Sequence, residues 1–221
     1  MNESSLGIPN QLFAEDDQPK LLQCLDYDDS YAPNCNPISG QTLADLLLTK
    51  ESHPVIIIDC RFDYEYKYGH IKGAINIDNQ KLLEKTFLHD VEKLKHLMRT
   101  KTILIFHCEF SQRRGPALWR TLRSLDRNIN PYPNVFFPEM YLLEKGFSSF
   151  YAQFPQLCDG GYKRQEGDKL EKTRWRSMQR DIRSYSIQDQ SLTLRKSASH
   201  GKGNNPLIRG FQTLSGTRAN D

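Results

Sequence analysis

Residues 54–59 read Pro-Val-Ile-Ile-Ile-Asp, a β-branched run with no polar position to mark a solvent face. A strand that is apolar on both sides must be covered on both sides, which is the condition of a strand inside a parallel sheet. Residues 101–106 (Lys-Thr-Ile-Leu-Ile-Phe) form a second such run, and residues 73–78 (Gly-Ala-Ile-Asn-Ile-Asp) predict a shorter strand. Between these runs, Leu82, Leu83, Phe87, Val91, Leu94 and Leu97 recur at mostly helical intervals and predict interrupted helical structure over 79–99. Ser39 and Thr42 ahead of Leu43 and Leu46–Leu48 predict a short capped helix, and 116–128 predict a helix with Leu118, Trp119, Leu122 and Leu125 inward. A further short strand is expected at 134–137, and helical turns broken at Gly146 over 139–154. The fold class is therefore α/β: an open, mostly parallel sheet flanked by helices, in a single domain with flexible ends. Such sheets place ligands at the carboxyl ends of their strands.

The domain is bounded at 37–162. Residues 1–36 are polar and Asp-rich and are expected as a loosely ordered N-terminal arm. Residues 163–183 are expected as a basic C-terminal helix, and 184–221, rich in Ser, Gly, Asn and Lys, as a disordered tail. Charge follows this division. Residues 1–159 carry 17 Lys and Arg against 21 Asp and Glu, net −4, whereas 160–221 carry 13 against 6, net +7. The basic end reads as a solvated tail, with contact to an acidic protein surface or a nuclear import receptor as the alternative. It contains no nucleic-acid-binding module, so no nucleic acid is expected as a partner. No stretch is apolar for long enough to span a bilayer, and the N-terminus has neither the basic start nor the apolar core of a secretory signal, so no membrane is expected either.

Five cysteines, at 24, 35, 60, 108 and 158, are odd in number and show no CxxC spacing. That argues against a disulfide framework and against a metal site, and fits a reducing compartment in which a thiol stays available for chemistry. No metal and no cofactor are expected.

The segment 107–116, His-Cys-Glu-Phe-Ser-Gln-Arg-Arg-Gly-Pro, lies between a buried strand and a helix. A loop there can turn successive backbone N–H groups inward as an anion nest, and the following helix adds its positive end. Cys108 stands at the base of this cradle, which favours its thiolate, the form that attacks phosphorus. Arg114 can hold an oxyanion through its planar fork. The alternative for Cys108 is a buried structural thiol, but the strand before it and the Gly115-Pro116 helix start after it favour the nucleophile. His107 either tunes the thiolate or packs at the strand end.

At this point the residues resemble a known family. His-Cys-Glu-Phe-Ser, two variable residues and Arg-Gly-Pro resemble the signature of the M-phase inducer phosphatases, the cell-division-cycle dual-specificity phosphatases. Asp59-Cys-Arg-Phe-Asp-Tyr-Glu-Tyr-Lys-Tyr-Gly-His-Ile resembles their upstream motif, and Tyr132-Pro133 with Pro138-Glu-Met-Tyr141 their downstream block. The resemblance covers about 37–162. It implies a rhodanese-like fold and removal of phosphate from adjacent phosphothreonine and phosphotyrosine on cyclin-dependent kinases, through a phosphocysteine. The implied partners are phosphorylated cyclin-dependent kinase–cyclin complexes, met by a monomer in nucleus and cytoplasm.

The resemblance also implies roles. Cys108 is the nucleophile and Arg114 the clamp, while Glu109, Phe110, Ser111, Gln112 and Arg113 form the phosphate-binding loop. Asp59, Arg61, Glu65 and His70 tie the strand end and loop by ion pairs. Cys60 is the resolving thiol for a protective disulfide, and Arg123, Arg127 and Tyr132 form a docking patch remote from the phosphate site. Two departures bear on mechanism. Arg113 stands where many members carry Glu, and arginine cannot supply a proton, which leaves Glu109 or the substrate as the general acid. Ala117 replaces a common arginine, weakening a secondary anion site. The long region usual before the catalytic domain in the family is not expected here, and control through it is expected to be reduced or relocated. Two alternatives are an inactive module that binds phosphorylated kinase, and an arsenate reductase on the same fold. A sulfurtransferase would have a shorter loop than the Cys108–Arg114 span.

Overall fold

A computed structural model describes residues 7–26, 32, 35–49 and 53–164, with isolated positions at 173, 176, 177, 179 and 180. The chain divides into two units, Met1–Arg164 and Gln165–Asp221, and the site lies in the first. Most of the expected basic helix over 163–183, and all of the expected tail over 184–221, fall outside the described residues.

In chain order the elements are β1 (Ala14–Glu15), β2 (Pro37–Ile38), α1 (Gly40–Leu48), β3 (Val55–Asp59), α2 (Asp63–Tyr68), β4 (Gly69–Ile71), β5 (Ile75–Asn76), α3 (Gln80–Phe87), α4 (Val91–Arg99), β6 (Ile103–His107), α5 (Arg114–Ile129), β7 (Asn134–Val135), β8 (Met140–Leu143), α6 (Gly146–Gln153) and β9 (Cys158–Gly160). The sheet order is β2-β8-β6-β3-β5, with every pairing parallel. The expected open parallel sheet is thus present, with the two apolar runs β3 and β6 side by side at its centre. Every residue of β6 is buried. The register sets Asp59 opposite His107, so the chain leaves both strands at the same level, and Cys60 N–H donates to the His107 carbonyl at 2.8 Å.

Alternation along these strands loads both faces. Ile57, Ile105, Tyr141 and Leu143 join Leu43 and Ala44 of α1 and Phe147 and Phe150 of α6 in one buried cluster. Each buried Leu, Ile or Phe among them contributes roughly 1.5–3 kcal/mol over leaving it exposed. Residues of the opposite parity, such as Leu142, meet α5, where a Cβ on Gly115 would stand 3.3 Å from Leu142 Cδ1 and 3.2 Å from the His107 carbonyl carbon. Glycine at 115 therefore lets the helix begin directly against the end of β6. Local caps agree with the sequence. Ser39 Oγ accepts from Thr42 N–H at 3.0 Å at the start of α1, and Asn79 and Asp90 cap α3 and α4 in the same way.

Three expectations are corrected. Residues 139–154 are not helical turns throughout, because Met140–Leu143 is a fully buried strand between β2 and β6. A four-residue apolar run has no period long enough to separate strand from helix. Gly146 is not a helix break but the first residue of α6, at φ +60°. The strand expected over 73–78 pairs only at Ile75–Asn76.

Residues of the expected loose arm are packed over 7–26. Ile8 is buried, Phe13 lies against Phe136 with ring centroids 5.6 Å apart, and β1 pairs antiparallel with β7. Among the described residues no helix is long and apolar enough to cross a membrane.

Candidate active site

Cys108 follows β6 directly and is 4% exposed, at the floor of a loop that closes at Arg114, the first residue of α5. What shapes the loop is α6. Phe147 N–H donates to the Cys108 carbonyl at 2.9 Å, and Ser148 N–H donates to the Glu109 carbonyl at 3.0 Å. In a planar trans peptide the N–H points opposite to the C=O. Drawing those two carbonyls towards α6 therefore turns the amides of Glu109 and Phe110 the other way, as an anion nest requires. A Cβ at Gly146 would lie 2.7 Å from the Glu109 carbonyl oxygen, so only glycine lets α6 approach this closely. Ser111 sits at φ +53°, buried, and its hydroxyl has no hydrogen-bond partner among the described residues, a donor left over inside the loop. Gln112 and Arg113 are exposed.

Arg114 is 7% exposed and faces Glu65. Its Nη1 and Nη2 both donate to that carboxylate, the Nη2 bond to Oε1 measuring 3.0 Å. Glu65 is fixed in turn by its own helix, since Oε2 accepts from Phe62 N–H at 3.0 Å, and the Phe62 ring lies 5.0 Å from the Arg114 guanidinium carbon. The upstream motif's glutamate thus ties the loop by an ion pair, as expected, and does so through the loop's arginine.

The rest of that motif braces the chain after β3. Arg61 Nε and Nη2 both reach Asp59, Arg61 Nη2 also donates to the Gly69 carbonyl at 2.7 Å, and the guanidinium stacks 3.8 Å from the Phe147 ring. Burial opposes the charge on Asp59, but His107 and Arg61 outweigh it and hold the carboxyl below its usual range. His70 departs from the expected ion pairs: its Nδ1 lies 2.9 Å from the Tyr66 carbonyl and its ring stacks on Tyr66.

His107 is fully buried, with Nδ1 3.3 Å from the Cys108 carbonyl and Nε2 3.8 Å from Asp59. Burial lowers its pKa against the opposing pull of Asp59. Cys60 is buried next to the loop, and burial, with Cys108 and Asp59 adding to it, pushes its thiol well up. Cys60 and Cys108 are both free thiols here.

Glu109 is buried, and its Oε1 accepts from the Tyr162 hydroxyl at 2.9 Å. The β4–β9 pairing brings Tyr162 here, and no sequence signal marked it. The Phe147 and Ser148 amides were missed too, since backbone donors leave no residue-type signature.

The docking trio splits. Tyr132 is 82% exposed and the Arg127 side chain 61% exposed, but Arg123 is 4% exposed, its Nη2 donating to the Phe137 carbonyl at 2.7 Å and its Nη1 to Asp126 at 3.3 Å. Spacing i, i+4 put both arginines on one helix face, but could not show that β7 and the arm cover part of it. Among the described residues no group of three or more His, Cys, Asp or Glu is placed to hold a metal.

A parallel five-stranded sheet with a cysteine-led loop after its central strand defines a class, and the Rhodanese-like domain profile matches residues 41–153: the chain belongs to the rhodanese-like domain family. Within it, the chain is 44% identical over 126 residues to M-phase inducer phosphatase 1-B of Xenopus laevis, covering 55% of this chain and 22% of that protein. It is 34% identical over 194 residues to the M-phase inducer phosphatase of Dictyostelium discoideum, covering 84% of this chain and 18% of the relative. The chain thus spans about a fifth of the length of these curated relatives. A solved yeast protein tyrosine phosphatase of the Rhodanese family aligns over 56% of this chain and 90% of its own, at 22% identity and TM-score 0.41, a likeness too loose to carry an argument.

Proposed function

We propose that residues 37–162 form the catalytic domain of a cysteine-dependent dual-specificity protein phosphatase, acting on phosphothreonine and phosphotyrosine of cyclin-dependent kinases in cell-cycle control. The observation that carries the reading is the loop itself: a buried Cys108 at the end of β6, under amides turned by the α6 N–H groups, beside a buried Arg114 aimed by Glu65.

In this reading the phosphoryl group enters the nest with its oxygens on the loop amides and Arg114. The Cys108 thiolate attacks phosphorus as the bond to the substrate oxygen breaks, that oxygen taking its proton from the singly protonated phosphate or from Glu109, and water then cleaves the phosphocysteine, releasing phosphate and restoring the thiolate. Fixed donors stabilise the charge that develops on the transferring group. Identity of 34–44% to M-phase inducer phosphatases supports the substrate class. Cyclin-dependent kinase–cyclin complexes are the proposed partners, with Arg127 and Tyr132 on the exposed docking face.

Turnover of an aryl phosphate by wild type and Cys108→Ser tests the reading. Turnover by wild type alone supports it; equal turnover by the two proteins rejects it.

A further inference from the structure

Arg123 and Arg127, one turn apart on α5, share a carboxylate that lies 111 residues before Arg127. Asp16 Oδ2 accepts from Arg127 Nε at 2.6 Å and from its Nη2, while Oδ1 stands 3.5 Å from Arg123 Nη1. The Asp16 side chain is only 10% exposed, in a segment whose neighbours Glu15 and Asp17 are exposed.

The backbone is seated as firmly as the side chain. Ala14 and Glu15 pair with Val135 and Asn134, and Asp16 N–H donates to the Pro133 carbonyl at 2.9 Å. Phe13 on Phe136 pins the segment upstream, and Lys20 Nζ on the Pro138 carbonyl at 3.0 Å pins it downstream. Tyr132 stands exposed one residue before the cap at Pro133.

This surface therefore reads a short extended segment in two ways at once. The β7 edge takes its main chain by strand addition, and two guanidinium groups take its carboxylate. We propose that Ala14–Asp16 occupies this docking face in cis, holding the β7 edge and the Arg123–Arg127 pair until an extended acidic segment of the partner protein displaces it. The inference rests on the docking reading given above and adds what the surface binds and what blocks it. Arg123 reaches a partner only once Asp16 has left. Because the strap is tethered, it competes at an effective concentration that a free partner must exceed.

The test uses the full chain as wild type, Asp16→Asn, Arg127→Ala and the double variant, assayed on a doubly phosphorylated cyclin-dependent kinase–cyclin complex and on an aryl phosphate. Asp16→Asn is expected to raise kcat/KM on the complex on the order of fivefold, the scale of one partly exposed ion pair. Aryl phosphate turnover stays unchanged, and the gain is lost when Arg127→Ala is added. Asp17→Asn makes the same charge change at an exposed neighbour and is expected to do nothing; an equal gain there would assign the effect to net charge and overturn the proposal. If Arg127→Ala slows the complex but Asp16→Asn does not speed it, the cis occupant is overturned while docking stands. If Arg127→Ala leaves the complex rate unchanged in both backgrounds, the docking reading fails and takes this inference with it.

Discussion

Glu65→Gln tests how the phosphate clamp is aimed. The change keeps side-chain length and an oxygen for Phe62 N–H, and removes only the charge opposite Arg114. Glu65 and Arg114 are 8% and 7% exposed, and they meet through two hydrogen bonds. Two unit charges at about 3 Å attract by roughly 5 kcal/mol at an effective dielectric constant of about 20. Part of that only offsets the cost of burying them, and breaking a buried pair by neutralising one partner leaves a net loss of about 3 kcal/mol. Urea unfolding of wild type and variant, with and without inorganic phosphate, measures this. The variant is expected to lose about 3 kcal/mol and to gain more from added phosphate than wild type does, because the anion replaces the missing counter-charge. Its kcat on an aryl phosphate is expected to fall at least about tenfold, since the guanidinium loses its orientation. A variant as stable and as active as wild type, with the same response to phosphate, would refute the argument that Glu65 aims Arg114.

Gly146→Ala forces a Cβ against the Cys108 and Glu109 carbonyls at a φ of +60°, so it is expected to destabilise by about 2 kcal/mol or more and to weaken phosphate binding, both measurable by urea unfolding with and without phosphate. Burial lowers the His107 pKa below the ordinary 6.5. The unfolded chain then binds a proton that the folded chain does not, and stability falls as pH drops below about 6.5; urea titrations at two pH values should show this slope reduced in His107→Gln. Cys60→Ser is expected to leave turnover near wild type but to prevent recovery by a dithiol after brief peroxide treatment, read as residual aryl phosphatase activity, because Cys108 then has no neighbouring thiol to stop its oxidation at a disulfide.

How far the sequence carried depended on what each feature left in the residue types. The β3 and β6 runs were legible because a strand covered on both faces needs apolar residues at every position, and the 107–116 segment was legible because cysteine, arginine and a Gly-Pro helix start are specific chemistry. Interrupted helical structure over 79–99 was expected from the periodicity and is present as α3 and α4, but the break at 88–90 left no mark in the spacing, since Phe87 and Val91 are four residues apart. Strand β8 was not legible, since Met140–Leu143 is too short to show a period, and α6 was misread because the glycine that breaks most helices here opens one. The contacts that complete the site come from far away in the chain: Glu65 on Arg114, Tyr162 on Glu109 and Asp16 on Arg127 are paired by topology alone.

The most direct test of the central claim is to mix the protein with an aryl phosphate, quench in acid and weigh its peptides. A phosphoryl group on the peptide carrying Cys108, lost in Cys108→Ser and accumulating when turnover is slowed, is the predicted result. Turnover with no phosphorylated cysteine at any time point, or a phosphoryl group that survives Cys108→Ser, would contradict it.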